Sequence, residues 1–368
     1  MGGIEQHMNV LCNRLAGDAD VTVLVPSRSR RTRRDDGDGV RILRVAEFGR
    51  YASVPLCPTM PAGLRRLRPD IVHLHFPNPM GDLAYLASGC RAPLVITYHA
   101  DIVRQRGLLR PYLPVLRAMF NRADRIIVAS GEYMASSPFL RCYHGKCTVI
   151  PYGVDLNELA LRDGETAAAD AVRGGLGSPI VLFVGVLRYY KGLDVLLRAM
   201  AKVPHARLVI AGRGRERTGL EALAARLGIS GRVTFAGEVP GVRRRVLLHA
   251  ADVFVLPSID RSEAFGIAQL EAMACGTPVV SSDLPTGIRL ANRDGETGVL
   301  VPPGDPDALA GALNRLLDDP ALRARLGRAA KARVEALFTA ERMAADTLRV
   351  YREVLQTARE SSPSGGVH

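Results

Sequence analysis

The densest run of chemistry-bearing residues is Pro257-Ser258-Ile259-Asp260-Arg261-Ser262-Glu263-Ala264-Phe265-Gly266-Ile267-Ala268-Gln269-Leu270-Glu271-Ala272-Met273-Ala274-Cys275-Gly276-Thr277-Pro278. The pattern reads as a strand entering a loop that holds Glu263. Phe265-Gly266 then opens a helix carrying Glu271 two turns in. Backbone N–H groups left open at a helix start attract anions, and a glycine there lets a ligand approach the backbone closely. Carboxylates grip vicinal hydroxyls through charge-assisted hydrogen bonds. An anion site between two carboxylates therefore fits phosphates set between hydroxyl-bearing rings, which describes a nucleotide sugar. The plain alternative places Glu271 on the exposed face of an ordinary helix, with Glu263 merely capping it.

Other candidate groups are weaker when taken alone. Thr97-Tyr98-His99-Ala100-Asp101 follows an apolar strand and directs polar side chains at a cleft, although a single His at a strand end is more often a structural hydrogen-bonding group. Ala211-Gly212-Arg213-Gly214 also ends a strand, and an isolated Gly-x-Gly is a weak signal. Asp35-Asp36-Gly37-Asp38 could pass for an Asp-x-Asp metal site, but it sits in an arginine-rich loop without strand support and reads as a solvated charge cluster. The 6 cysteines form no Cys-x-x-Cys pair, and His144 between Cys142 and Cys147 is not at zinc-finger spacing. Reduced, mostly buried thiols and no metal are expected.

The elements that must position these groups alternate from end to end: β-rich runs separated by helical patterns, the signature of a doubly wound parallel sheet. In the front half the strands read Val21 to Val25, Val40 to Val45, Asp70 to His75, Leu94 to Tyr98, Arg125 to Ala129 and Cys147 to Ile150. The pattern dissolves in a polar, Gly- and Ala-containing stretch, giving a front domain over 1–153 and a linker over 154–178. It restarts with the apolar run Pro179 to Val186, fit for a central strand. Arg207 to Ala211, Val233 to Ala236, Asp252 to Leu256, Pro278 to Ser281 and Gly298 to Val301 complete a second domain over 179–338. A long amphipathic helix follows over 339–358, expected to pack back towards the front domain, and then a disordered polar tail over 359–368. Two such sheets in tandem are α/β, and their ligand site belongs at the carboxyl ends of the strands, in the cleft between the domains.

The chain has 368 residues, 47% apolar and 23% charged, enough to build full cores and to exclude general disorder. No apolar run approaches a membrane span, and the start lacks signal-peptide layout, so a cytoplasmic location is expected. The net charge is +12, of which +9 falls in residues 1–150. Arginines cluster there: Arg28, Arg30, Arg31, Arg33 and Arg34, then Arg65, Arg66 and Arg68, then Arg104, Arg106 and Arg110. An anionic membrane surface or a phosphorylated substrate would match them, as would a simply solvated basic face. No zinc finger, helix-turn-helix or aromatic-studded RNA-binding motif accompanies them, so nucleic acid is not expected.

The segment from Glu263 to Val280 resembles the E-x(7)-E region of the retaining glycosyltransferases of family 4, which have the GT-B fold of two facing Rossmann-like domains. Glu263, Phe265-Gly266, Leu270-Glu271-Ala272-Met273-Ala274 and Gly276-Thr277-Pro278-Val279-Val280 all fall in register. The resemblance implies that Glu263 contacts the donor sugar, that the backbone of Phe265, Gly266 and Ile267 meets sugar and diphosphate, and that Glu271 holds the ribose. Val184-Gly185-Val186-Leu187-Arg188-Tyr189-Tyr190-Lys191-Gly192 resembles the diphosphate loop, with Lys191 as the phosphate-binding lysine. The family's arginine after the first glycine is here Val186. Arg188 replaces it if the strand continues that far, since the two would then point the same way. Gly212 resembles the glycine-rich turn beside the donor, Glu238-Val239 the nucleobase contact, and Gly2-Gly3 the N-terminal glycine loop. His99 corresponds to a histidine touching the donor sugar near the reacting carbon. His73-Leu74-His75-Phe76-Pro77-Asn78-Pro79 resembles one subgroup, which places His75 and Asn78, with Asp101, on the acceptor side.

The implied protein is a metal-independent, retaining hexosyltransferase without a cofactor. It would use a nucleotide diphosphate sugar, GDP-mannose or a UDP-sugar, and a glycan, lipid-linked or inositol-type acceptor. It would be cytoplasmic, with the inner membrane face as a peripheral docking surface. The rival is a catalytically inactive relative serving as a membrane-associated scaffold, supported by Val186 and the abrupt start. In this family a buried strand precedes the glycine loop, yet here the glycines stand at positions 2 and 3. The expectation is an upstream start codon adding roughly ten to twenty residues, and a gap or substitute strand in the centre of the front sheet, since unpaired strand edges are costly.

Overall fold

The computed structural model describes residues 2–361 except 38, 52, 53, 103–105 and 178, with backbone alone for 106–109 and 361. Asp38 and Arg104 thus lie outside the described residues, as does most of the tail. The chain divides into two compact units. The front unit spans Ile4–Ile150 and takes in the C-terminal residues from Glu341; the rear unit spans Pro151–Ala340 and takes in the chain start through Gly3.

Strands of the front unit are β1 (Val21–Pro26), β2 (Arg33–Gly37), β3 (Val40–Val45), the short pair β4 (Arg50–Tyr51) and β5 (Val54–Pro55), β6 (Val72–Phe76), β7 (Leu94–Tyr98), β8 (Arg125–Val128) and β9 (Cys147–Val149). Among the described residues they form separate sheets: β1-β3-β2, the β4-β5 pair, and β6-β7-β8-β9, which is parallel throughout. No ladder joins β1 to β6 among the described residues. The helices Gly3–Leu15 and Ala340–Ser361 cover the β6-β7-β8-β9 sheet. Leu11 and Leu15 pack with Met343, Ala344, Val350 and Val354 over Val95, Ile127 and Ile150. An amphipathic helix needs such an apolar surface, and this one finds it on the front unit.

Asp35 and Asp36 are not in a loop. They lie on β2, antiparallel to β3, where Arg44 pairs with Asp35 and Arg34 with Asp36 at 3.0 Å. Backbone pairing and arginine partners hold a strand there without an apolar pattern. Of the six thiols, all unpaired, only Cys57 is buried, and Cys142 is exposed.

The rear unit holds one parallel sheet of six strands: β10 (Ile180–Val184), β11 (Arg207–Ala211), β12 (Val233–Gly237), β13 (Val253–Leu256), β14 (Val279–Ser282) and β15 (Gly298–Val301), in the order β12-β11-β10-β13-β14-β15. Its central strands are buried on both faces; Val181, Leu182 and Phe183 are fully buried. The order reverses between β10 and β13, which makes their carboxyl ends the topological switch point where ligands of such sheets bind.

Residues 154–178 are not a structureless connection. They carry the helices Leu156–Leu159 and Glu165–Leu176, both within the rear unit. Ala169 and Val172 pack on Val246 and Ala250, and Glu165 receives the Arg245 guanidinium, with Nε to Oε2 at 2.7 Å. That hydrogen-bonded guanidinium, with the Arg162 backbone N–H, holds the Glu165 carboxyl down to about 2. Alanine favours helix while giving little hydrophobic periodicity, which is why the sequence pattern fades there.

Candidate active site

Four loops of the rear unit meet at the carboxyl ends of β10 to β13. The first leaves β10 at Gly185 and ends in a helical turn, Tyr189–Lys191. It is tied to the loop after β11 by the Leu187 N–H donating to the Arg213 carbonyl at 2.9 Å, and to the loop after β13 by Ile259 N–H donating to the Tyr190 carbonyl at 2.8 Å. Gly212 N–H in turn donates to the Gly237 carbonyl at 2.7 Å, bringing in the end of β12. Glycine is required at 212, since its φ is +153° and a Cβ would fall 1.8 Å from the Gly185 carbonyl oxygen. At Gly266 φ is +80° and a Cβ would lie 2.4 Å from Leu256 Cδ2, so packing within the unit already demands glycine. Phe265 is a core side chain, 1% exposed, against Tyr152 and Phe338.

These loops bring Lys191 and Glu263 together. The Lys191 ammonium forms an ion pair with the Glu263 carboxylate, which also accepts from Ser258 Oγ at 3.0 Å, and both charged side chains are largely buried. Glu271 lies on the helix Ile267–Ala274, 2% exposed, and its Oε1 receives Arg244 at 2.8 Å. Neither carboxylate is an exposed or capping group, so the plain alternative fails for both. Ser258 and Arg244 are partners of these two carboxylates that sequence reasoning missed. Arg244 also lines a cavity of about 260 Å³ with Glu158, Arg162, Val242 and Arg245, and that lining includes neither Lys191 nor Glu263.

Other residues fall less simply. β10 stops at Val184, so the strand continuation expected to align Arg188 with Val186 does not occur. Arg188 is exposed, with extended backbone, in hydrogen-bonding range of Tyr190. Val239 is buried after β12, Ile267 begins its helix, and Gly2 and Gly3 group with the rear unit.

In the front unit, Asp101 accepts from Tyr98 at 2.6 Å and Ser137 at 2.8 Å, and its backbone N–H donates to Tyr133. Asn78 caps the helix Pro79–Ser88, accepting from Gly81 N–H at 3.1 Å. His75 Nδ1 and His99 Nε2 share a hydrogen bond at 2.9 Å, their rings stacked at 5.2 Å. His7 approaches the His99 ring edge-on at 5.0 Å, and His73 stacks on His75 at 4.5 Å. His73 is held on both nitrogens, by Tyr351 at 2.6 Å and Thr97 at 2.7 Å.

Burial keeps all four imidazoles neutral. His75 titrates at about 4, His7 at about 3 with repulsion from His75 added, and His73 and His99 lie well below the ordinary 6.5. An unfolded chain takes up these protons as pH falls through 6.5, and the folded chain does so only near 4 and below. Stability contributed by the neutral cluster is therefore complete above about 6.5 and is lost as pH drops towards 4. Asp82, raised to about 6 by burial, acts in the opposite direction below that pH, but it is one group against four. The denaturant midpoint of the front unit is expected to be lower at pH 5 than at pH 7; an equal or higher midpoint contradicts the neutral cluster.

Two Rossmann-like units, the rear one with paired lysine and carboxylates at its switch point, define a glycosyltransferase of the GT-B fold. Residues 1–158 match the family described as Glycosyltransferase Family 4, and residues 170–333 match Glycosyl transferases group 1. The chain belongs to this family of nucleotide-sugar-dependent glycosyltransferases. It is similar to the D-rhamnosyltransferase WbpZ of Pseudomonas aeruginosa, with 42% identity covering 74% of this chain and 70% of the relative. It is similar also to the O-antigen chain mannosyltransferase C of Escherichia coli, with 32% identity covering 97% and 95%. Among solved structures, a sucrose-phosphate synthase from Thermosynechococcus elongatus superposes with a TM-score of 0.83 at 27% identity, covering 97% of this chain and 94% of that one.

Proposed function

We propose that the chain transfers a manno-configured hexose, with retention and without a metal ion, from a nucleotide diphosphate sugar to a hydroxyl of a glycan, lipid-linked or inositol-type acceptor. GDP-mannose is the first donor to test and UDP-sugars the second. The observation that carries this reading is the Lys191–Glu263 ion pair in the loops at the switch point, with the buried Glu271 on the helix that follows: a cation for the diphosphate and carboxylates for sugar and ribose hydroxyls. The likeness to a mannosyltransferase and a D-rhamnosyltransferase supports the sugar, because D-rhamnose is 6-deoxy-D-mannose. Likeness to D-inositol 3-phosphate glycosyltransferases, at 36% identity over 78% of this chain, keeps the inositol-type acceptor in view.

In the proposed reaction the bond from the anomeric carbon to the diphosphate oxygen breaks as the acceptor oxygen bonds on the same face. The acceptor's proton passes to the departing diphosphate. Lys191, with Arg188 and the helix start after Gly266, stabilises the charge that develops there, while Glu263, Glu271 and His99 position the donor. The proposed chemistry uses no cofactor and no ion, the charge on the leaving group being met by Lys191, Arg188 and the helix start. Of UDP, GDP, ADP and their sugars, at least one should raise the melting temperature, since a ligand that binds only the folded state stabilises it. A panel with no shift rejects the donor site.

We place the enzyme in the cytoplasm, peripheral on an anionic membrane surface. The support is that the front unit exposes the large apolar side chains Phe48, Tyr51, Leu67 and Leu83 and the arginines Arg50, Arg65, Arg66 and Arg68. No helix among the described residues is long and apolar enough to cross a membrane. Binding to anionic vesicles should fall steeply between low and physiological salt, because each basic residue contributes about 1 kcal/mol and is screened over about 8 Å at 0.15 M. Equal binding to neutral and anionic vesicles rejects the membrane role.

A further inference from the structure

Three rings of the front unit's imidazole cluster meet in a geometry that the transfer reading, which takes His99 beside the donor and His75 on the acceptor side, leaves unexplained. His7 comes from the helix Gly3–Leu15, His75 from β6, and His99 from the residue after β7. Each offers one ring nitrogen, and the three nitrogens lie within 4.8 Å of one another. We propose that His7, His75 and His99 form a site for one nitrogen-preferring divalent transition-metal ion of the Zn²⁺, Co²⁺ or Ni²⁺ class. A four-coordinate ion with metal–nitrogen bonds of about 2.0–2.1 Å holds its ligands about 3.3 Å apart, so the hydrogen-bonded His75–His99 pair opens by about 0.4 Å and no other separation closes by more than about 1.5 Å.

The surroundings suit such an ion. Imidazole binds metal only when neutral, and burial holds all three rings in that form. Three nitrogen ligands without a carboxylate favour this class over Mg²⁺ or Ca²⁺, which take oxygen. His73 is not a ligand, because Tyr351 and Thr97 occupy its two nitrogens; stacked on His75, it fixes the plane of that ring. His75 is only half-buried, which leaves an approach for the ion and for a water in the fourth position. On binding, the proton shared between His75 and His99 moves to the far nitrogen of the ring that carries it. Both rings stay neutral and no proton is released. The inference goes beyond the transfer reaction and stands if that reading fails, since it concerns uptake and not turnover.

The test uses the full chain, stripped with chelator and titrated with Co²⁺. The expected result is a visible absorption band of tetrahedral cobalt that saturates at one ion per chain, is displaced by Zn²⁺, and lacks the thiolate charge-transfer band that cysteine ligation would give. His7→Leu should weaken uptake about a hundredfold or more, because losing a ligand costs no less than losing its supporting hydrogen bond. His205→Ala, at an exposed position outside the cluster, should take up Co²⁺ as the parent does. Circular dichroism establishes that each variant is folded, and His75→Gln replaces His7→Leu if the latter is not. A folded parent chain with no cobalt band at millimolar Co²⁺, or equal uptake by the parent and the folded ligand variant, overturns the proposal.

Discussion

Replacing Lys191 by alanine is expected to lower turnover about a hundredfold or more, the usual loss when one preorganised stabiliser of developing charge is removed. In this chain the loss has two parts. On the proposed role the diphosphate loses a cation, and Glu263, largely buried and still held by Ser258, is left as an unneutralised negative charge. The measurement is steady-state release of nucleoside diphosphate from the donor that the thermal panel selects, with and without acceptor. Turnover within a few fold of the parent enzyme would remove Lys191 from the site.

The second large effect belongs to Glu271. Glu271→Ala should weaken nucleotide binding by roughly 1.5 to 3 kcal/mol, the worth of hydrogen bonds to a charged group, or about tenfold to somewhat over a hundredfold in affinity. The fold should survive, because Arg244 keeps 29% of its side chain exposed and can turn to water when its partner goes. Titration calorimetry with the bound nucleoside diphosphate reads this directly. The deoxyribose form of the nucleotide should lose less affinity on the same substitution than the ribose form. Unchanged affinity for the ribonucleotide would sink the ribose assignment.

Much of the rear unit was legible because strands covered on both faces run continuously apolar. Arg207–Ala211 was read to the residue, and β10 and β13 to within two. β2 was not legible, since Arg33-Arg34-Asp35-Asp36-Gly37 has no apolar alternation and owes its pairing to backbone ladders and arginine partners. The helix Glu165–Leu176 was hidden by its small side chains. Within the site, Lys191 and Glu263 could be picked out by residue type, but their ion pair could not, because it depends on two loops 72 residues apart folding over one switch point. Arg244 sits in the run Arg243-Arg244-Arg245, which looks like a solvated surface until the helix turns one arginine to Glu271 and the next to Glu165. The alternation His73-Leu74-His75 put two imidazoles on one face of β6, yet His7 reaches them from a helix far away in sequence, and nothing local announces that meeting.

The Lys191–Glu263 and Arg244–Glu271 ion pairs have a consequence for selectivity. With Lys191 already neutralised by Glu263, and Glu271 by Arg244, the unliganded pocket is electrostatically self-satisfied. On the proposed roles, inorganic phosphate that draws Lys191 away strands Glu263, and a free sugar that engages Glu263 strands Lys191. Each half-ligand breaks a favourable contact and restores only one side of it. A molecule bearing both an anionic bridge and flanking hydroxyls re-partners both sides at once. The pocket then behaves as a coincidence detector, largely indifferent to the abundant phosphate and free sugars of a cell and responsive to the two when they are joined in one molecule.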